Sequence, residues 1–143
     1  MLHLIKLCVG VDSLDELARW QAKRVATLKK RRAKPELVHV TRQTPKRAAE
    51  LLDGGSLYWV IRGHVAARQR LIDIRPARAR NGSPRCGLVY EPKLVPTVRR
   101  AHRPFQGWRY LDPKDAPADA RTLLRATGLP PRLCEELAEL GLL

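Results

Sequence analysis

The segment from Arg103 to Tyr110 combines the residue types that hold unpaired nucleic-acid bases. It places Phe105, Trp108 and Tyr110, three of the seven aromatic residues of the chain, beside Arg103 and Arg109. Unpaired bases stack on aromatic rings and on guanidinium planes, and arginines also bind the neighbouring phosphates. The same rings would suit the core or the cover of a sheet edge, so the segment alone leaves both interpretations open.

Other cations and aromatic rings flank the segments that we predict to be central strands. The arginines would line a groove for phosphates; alternatively they are solvated or paired with Asp73 and Glu50. The hypothesis is a nucleic-acid site for RNA more than for DNA, because stacking requires unpaired bases. Its ten residues each carry a positive charge or an aromatic ring: Lys46, Arg47, Tyr58, Trp59, Arg62, Arg68, Arg70, Arg103, Trp108 and Arg109.

Positive charge is concentrated in the first three quarters of the chain. The 143 residues carry a net charge of +14. Residues 112–143 hold four Lys/Arg and six Asp/Glu, so residues 1–111 hold the other 24 cations with eight acids, a net charge of +16. Acid-poor segments lie at residues 17–35, 62–85 and 93–109. Such segments are typical of proteins that bind polyanions, although an arginine-rich proteome would produce them too.

Catalytic chemistry has little support in the sequence. No metal or cofactor site is predicted, because the histidines lie far apart and no metal-binding spacing occurs. No catalytic residue is assigned either. An alternative function is nevertheless an enzyme acting on a small phosphorylated or nucleotide substrate, with arginines clamping the phosphate. In that hypothesis His64 or Asp73 would transfer the proton.

Local patterns predict the elements that must position these residues. Ser13 and Glu16 match a capping box, so a helix follows and continues to about Arg32. Thr44 and Pro45 predict the start of a short second helix. Apolar and β-branched runs predict strands, and terminal glycines predict helix ends. The strands are expected at residues 3–9, 37–40, 56–62, 68–75, 86–90 and 94–98, and two C-terminal helices at 117–127 and 131–140.

Together these elements predict an α+β fold in a single domain over residues 1–143. The sheet is expected to be mainly antiparallel, with five or six strands, an N-terminal helix, a short helix before the central strands and two C-terminal helices. The run over residues 56–62 predicts a strand buried on both faces. A third function is an interaction protein that docks a partner or a second copy through its C-terminal helices. The oligomeric state is left open, and the docking stripe would consist of Leu133, Leu137 and Leu140.

The composition favours a cytoplasmic protein. No apolar run approaches the ~20 residues of a membrane-spanning helix, and the N-terminus lacks the pattern of a secretory signal. Three widely spaced cysteines, Cys8, Cys86 and Cys134, favour reduced thiols over a disulfide framework. We therefore expect no membrane partner.

Several segments, taken in order, resemble a bacterial family known as the domain-of-unknown-function family numbered 1489. The resemblance covers the chain from Leu2 to about Leu140. It implies no activity and no catalytic residues, because that family has no assigned function. The segments that carry it are LHLIKLCVGV at 2–11, ELVHVTR at 36–42, PKRA at 45–48, LDGGSLYWVI at 52–61, ARQR at 67–70, RPFQGWRYL at 103–111 and DAP at 115–117.

Overall fold

The strands and helices alternate along the first half of the chain, and strands dominate the second. The computed structural model describes residues 1–128, 130, 132–133 and 136. The predicted α+β class is confirmed, whereas the predicted helix over residues 131–140 falls largely outside the described residues. The elements are β1 (His3–Leu7), α1 (Leu14–Lys30), β2 (Leu37–Thr41), α2 (Ala48–Leu52), β3 (Ser56–Ile61), β4 (His64–Arg78), β5 (Pro84–Tyr90), β6 (Val95–Ala101), β7 (Trp108–Leu111) and α3 (Ala120–Thr127).

The sheet differs in detail from the predicted one. Within the described residues it has seven strands, not five or six, in the order β2-β5-β4-β3-β1-β7, with β6 paired to β4. It is mixed, because β1 and β3 are parallel while the other pairs are antiparallel. A parallel pair needs a long crossover, and the segment holding α1, β2 and α2 supplies it. The additional strand is β7, which pairs with the outer edge of β1.

Strand β4 is longer than predicted and joins two parts of the sheet. Its first half pairs with β3 and its second half with β5, with an irregularity between Leu71 and Asp73. The sheet also curls, which brings its two ends together. The indole N–H of Trp108, on β7, donates to the carbonyl of Gln43, two residues beyond β2 (2.9 Å).

The two N-terminal helices begin differently from each other. At α1 the Ser13 cap is confirmed, because its hydroxyl accepts from the Glu16 N–H (3.1 Å). The Glu16 carboxylate reaches back as expected, but to the Asp12 N–H (3.1 Å), one residue before the cap. The predicted start of α2 at Thr44 and Pro45 is wrong. A turn intervenes, and the helix begins at Ala48.

Side chains of β3 enter the core on both sides of the sheet, as predicted. Every residue of β3 is buried. Leu57 and Trp59 join the larger cluster, which α1 covers through Leu17. Tyr58 and Val60 point the opposite way into a smaller cluster, as the two-residue period of a strand requires. No helix among the described residues is both long and apolar enough to cross a membrane.

Candidate nucleic-acid interface

Two of the predicted stacking residues lie in the core. Tyr58 is 4% exposed and Trp59 is 2% exposed. The Trp59 indole N–H donates to Gln69 Oε1 (2.8 Å), and the Tyr58 ring meets the His3 ring edge-on at 5.0 Å. Neither ring presents a face to a base, because β3 is covered on both sides of the sheet.

Two of the predicted phosphate ligands are already paired with acids. The Arg68 guanidinium makes two hydrogen bonds to the Asp119 carboxylate (2.7 and 2.8 Å) and a third to the Ser56 hydroxyl (3.1 Å). These bonds hold the pKa of Asp119 below its ordinary value. Arg47 is bound to Glu50, its neighbour on α2. Arg68 therefore attaches the start of α3 to the sheet.

The residues around β7 divide between its two faces. Trp108 and Tyr110 lie on the larger core's side, where their rings meet edge-on at 4.9 Å and Arg47 stands 5.5 Å from the Tyr110 ring centre. Arg109 points the other way and stacks over Phe105 at 5.6 Å. The aromatic segment therefore does not form one continuous surface with its arginines.

The remaining predicted cations are exposed at separate places. Lys46 lies in the turn before α2, and Arg103 follows β6. Arg70 lies 3.8 Å from the Glu91 carboxylate. Arg62 lies in the β3–β4 turn, where it lines a cavity together with His64. Of the ten predicted residues, the structure brings together Arg47 and Trp108 through the Tyr110 ring. It also places Tyr58 opposite Arg68 on β3 and β4. The ten residues do not form one surface.

The proton-transfer candidates of the enzyme hypothesis are far apart. His64 is the first residue of β4, and Asp73 is nine residues further along the same strand, roughly 30 Å away for an extended chain. The Asp73 carboxylate instead accepts the Ile74 N–H (2.8 Å) and pairs with Arg75 (3.1 Å). His64 and Asp73 are therefore alternatives at separate places on β4 and not partners in one site.

A group of titratable residues lies inside the curl of the sheet. Burial lowers the pKa of Lys6, raises that of the Cys8 thiol to about 11, and lowers that of His39 to about 4, with Lys6 adding to the last shift. A thiol with so high a pKa is protonated at neutral pH, so Cys8 is a poor nucleophile. The His39 ring is neutral at pH 7, because burial lowers its pKa to about 4.

The exposed side of α1 is the surface that the predicted site left out. We call Arg19, Trp20, Lys23 and Arg24 the α1 basic face. Trp20 is 54% exposed, and the three cations are exposed and make no ion pair within the part of the chain that the structure describes. Residues three and four apart are neighbours on a helix, so Lys23 and Arg24 flank the Trp20 ring.

The sequence of α1 itself indicates that this face is exposed. The apolar stripe of α1 contains Leu17, with Leu14 and Val25 partly buried around it, and Trp20 lies at the margin of that stripe. A tryptophan there lies in a segment of eight cations and no acid over residues 17–35, and the nearest carboxylate on its face of α1 is Glu16, one turn earlier.

Comparison with known proteins identifies one family. The family described as "Protein of unknown function (DUF1489)" matches residues 4–143. No curated protein and no solved structure matches the chain. These comparisons therefore assign no function to the chain.

Proposed function

Because the chain belongs to the DUF1489 family, whose description assigns no activity, we propose from its surface that it binds single-stranded RNA through the α1 basic face. The observation that carries the proposal is the exposed Trp20 ring with Lys23 and Arg24 beside it, neither of which is paired with an acid of the described residues. The +16 charge of residues 1–111 supports it, because a concentrated positive field attracts polyanions.

Each part of the α1 basic face has a separate physical role. The three cations neutralise phosphates and release their counterions, which makes the affinity depend on salt. The Trp20 ring stacks on a base. This contact does not depend on the RNA sequence, because every base has a flat face. A base inside a duplex is already stacked on both sides, so the proposal specifies a single strand.

The residues predicted from the sequence contribute to RNA binding in different ways. Lys46 and Arg103 are exposed and extend the positive field, whereas the Arg70 charge is offset by Glu91. Arg47 and Arg109 lie against aromatic rings and would offer secondary contacts. Tyr58, Trp59 and Arg68 are left out, because the first two are buried and the third is held by Asp119.

The experiment compares two triple variants that remove the same charge. Arg19→Gln, Lys23→Gln and Arg24→Gln together remove the cations of the α1 basic face. Binding of a labelled single-stranded RNA, followed by fluorescence anisotropy from about 50 to 200 mM salt, is expected to weaken, and the logarithmic salt slope to fall by about 2, because each single-strand contact contributes about 0.7.

The matched control changes three exposed cations elsewhere. It is Arg80→Gln, Lys114→Gln and Arg125→Gln, which lie in the β4–β5 turn, before α3 and on α3. We expect it to keep the wild-type slope within about half a unit. Equal slopes for the two triple variants would show a diffuse charge effect and contradict the proposed site.

The wild-type protein tests RNA binding itself. RNA binding that does not weaken as salt rises would contradict it. The same titration with single-stranded DNA of the same sequence tests the preference for RNA.

Trp20 gives a second prediction on the same face. Trp20→Ala is expected to weaken RNA binding about tenfold, in line with the 1–3 kcal/mol of a base–aromatic stack. Trp20→Phe should retain most of the affinity because it keeps an aromatic face. Thermal unfolding should change little in either variant, since more than half of the Trp20 side chain is exposed. Unchanged affinity in Trp20→Ala would remove stacking from the proposal.

A further inference from the structure

A cavity of about 370 Å³ opens beside the turn between β3 and β4. Its walls come from the start of α1, the β3–β4 hairpin, β6 and α3. Much of the lining is apolar and includes Ile61, Ala66, Val98 and Leu124. This volume falls in the range of small-molecule sites, which are mostly apolar with a few polar groups.

One buried polar group in the lining has no hydrogen-bond partner among the described residues. Thr97 is 5% exposed, and its hydroxyl makes no hydrogen bond to any described residue. Buried hydroxyls in folded proteins are nearly always paired, with protein, water or ligand. The Thr97 Oγ1 is itself buried, so a ligand in this cavity pairs with the hydroxyl once the threonine side chain rotates toward the cavity.

The rim of the cavity carries a strained cation. Arg62 has φ +50°, and with Gly63 at φ +78° it forms the two-residue turn of the β3–β4 hairpin. Asparagine and glycine suit the first position of such a turn, whereas arginine is strained there. Arg62 and His64 both line the cavity, as does Asp12. Strain of this kind is often retained where the side chain serves a site.

We propose that this cavity takes one unpaired nucleotide. The base lies among the apolar side chains and bonds the Thr97 hydroxyl, and its phosphate lies at the rim near Arg62 and His64. The Asp12 carboxylate, also in the lining, would repel a phosphate, so the proposed orientation puts the base on that side, where its exocyclic amino group donates to Asp12. The inference rests on the proposed function for the source of the nucleotide, an RNA strand, although a free nucleoside monophosphate has the same chemistry.

Two substitutions by phenylalanine test the cavity itself. Ala120 lines it from the first residue of α3, whereas Ala118 is exposed and lies outside it. Titration calorimetry with the four nucleoside monophosphates, and anisotropy with the RNA, are run on both variants. Ala120→Phe is expected to abolish mononucleotide binding and to weaken RNA binding about tenfold, while Ala118→Phe leaves both unchanged. Thermal unfolding of both variants verifies that they fold.

The outcomes separate this inference from the proposed function. RNA binding with a normal salt slope, but equal in Ala120→Phe and wild type, would overturn the nucleotide cavity and leave the α1 basic face standing. Mononucleotide binding that Ala120→Phe abolishes, in a protein that does not bind RNA, would overturn RNA as the source and support a free nucleotide as the ligand.

Arg62→Asn separates a role in the turn from a role in binding, because stability and nucleotide affinity are expected to change in opposite directions. Asparagine relieves the positive φ, so the melting temperature is expected to rise by about 3 °C. Nucleotide affinity should nevertheless fall about tenfold, because the phosphate loses its cation. A variant that is stabilised and binds as well as the wild type would show that Arg62 has no role at the rim.

Discussion

Replacing Gln69 by leucine is expected to lower the free energy of unfolding by roughly 3–5 kcal/mol. The Gln69 side chain is fully buried and is paired on every side. It exchanges two hydrogen bonds with Gln21 of α1 (2.9 and 2.7 Å), accepts from the Trp59 indole (2.8 Å) and donates to the Glu91 carbonyl (3.0 Å). Leucine would leave these partners buried without hydrogen bonds, each at a cost of about 1–3 kcal/mol.

A double-mutant cycle distinguishes this network from simple packing. Gln21→Leu and Gln69→Leu together remove both buried amides, so urea unfolding is expected to show a smaller loss than the sum of the single losses. If Gln69→Leu does not fold, Gln21→Leu alone and the double variant still give the comparison. Additive losses, or a loss below about 1 kcal/mol for Gln69→Leu, would contradict a cooperative network.

Gln69 also shows which features of the fold could not be predicted from sequence. The Ser13 cap and the doubly buried β3 were predictable, because their causes lie within a few residues of chain. Gln69 stands between two arginines in a strand, and its partner Gln21 is 48 residues away. A buried amide pair leaves no pattern in the local sequence. It becomes visible only when α1 is seen packed on the sheet.

The candidate site was predictable in charge but not in geometry. The acid-free segment over residues 17–35 marked α1 as basic, and that charge lies on the described surface. The pairing of Arg68 with Asp119, 51 residues apart, was not visible, because an ion pair across the fold depends on where α3 begins. The ring of Trp59 suggests stacking on a base, but its position in a doubly buried strand predicts burial, and the structure shows it 2% exposed.

Lowering the pH from 7 to 4 is expected to remove about 2–3 kcal/mol of stability through His39 alone. The His39 ring is partly buried, on β2, and meets the Trp59 ring edge-on at 5.6 Å. Burial, together with the nearby Lys6 charge, lowers its pKa from 6.5 to about 4. Between those values the unfolded chain binds a proton that the folded chain does not, so stability begins to fall below about pH 6.5 and the loss levels off near pH 4. His3 acts in the same direction, because burial also lowers its pKa.

Two variants of His39 test this linkage. Both remove the titrating imidazole, but their side chains differ in shape. His39→Phe keeps a ring against Trp59, and His39→Gln does not. Both are expected to flatten the pH dependence of urea unfolding between pH 6.5 and 4 by about 2–3 kcal/mol, whatever their stability at pH 7. A packing effect would instead shift the two curves by different constant amounts. A wild-type His39 ring that titrates near 6.5 by NMR, or an unchanged slope in both variants, would show that burial of this histidine does not set the acid sensitivity of the fold.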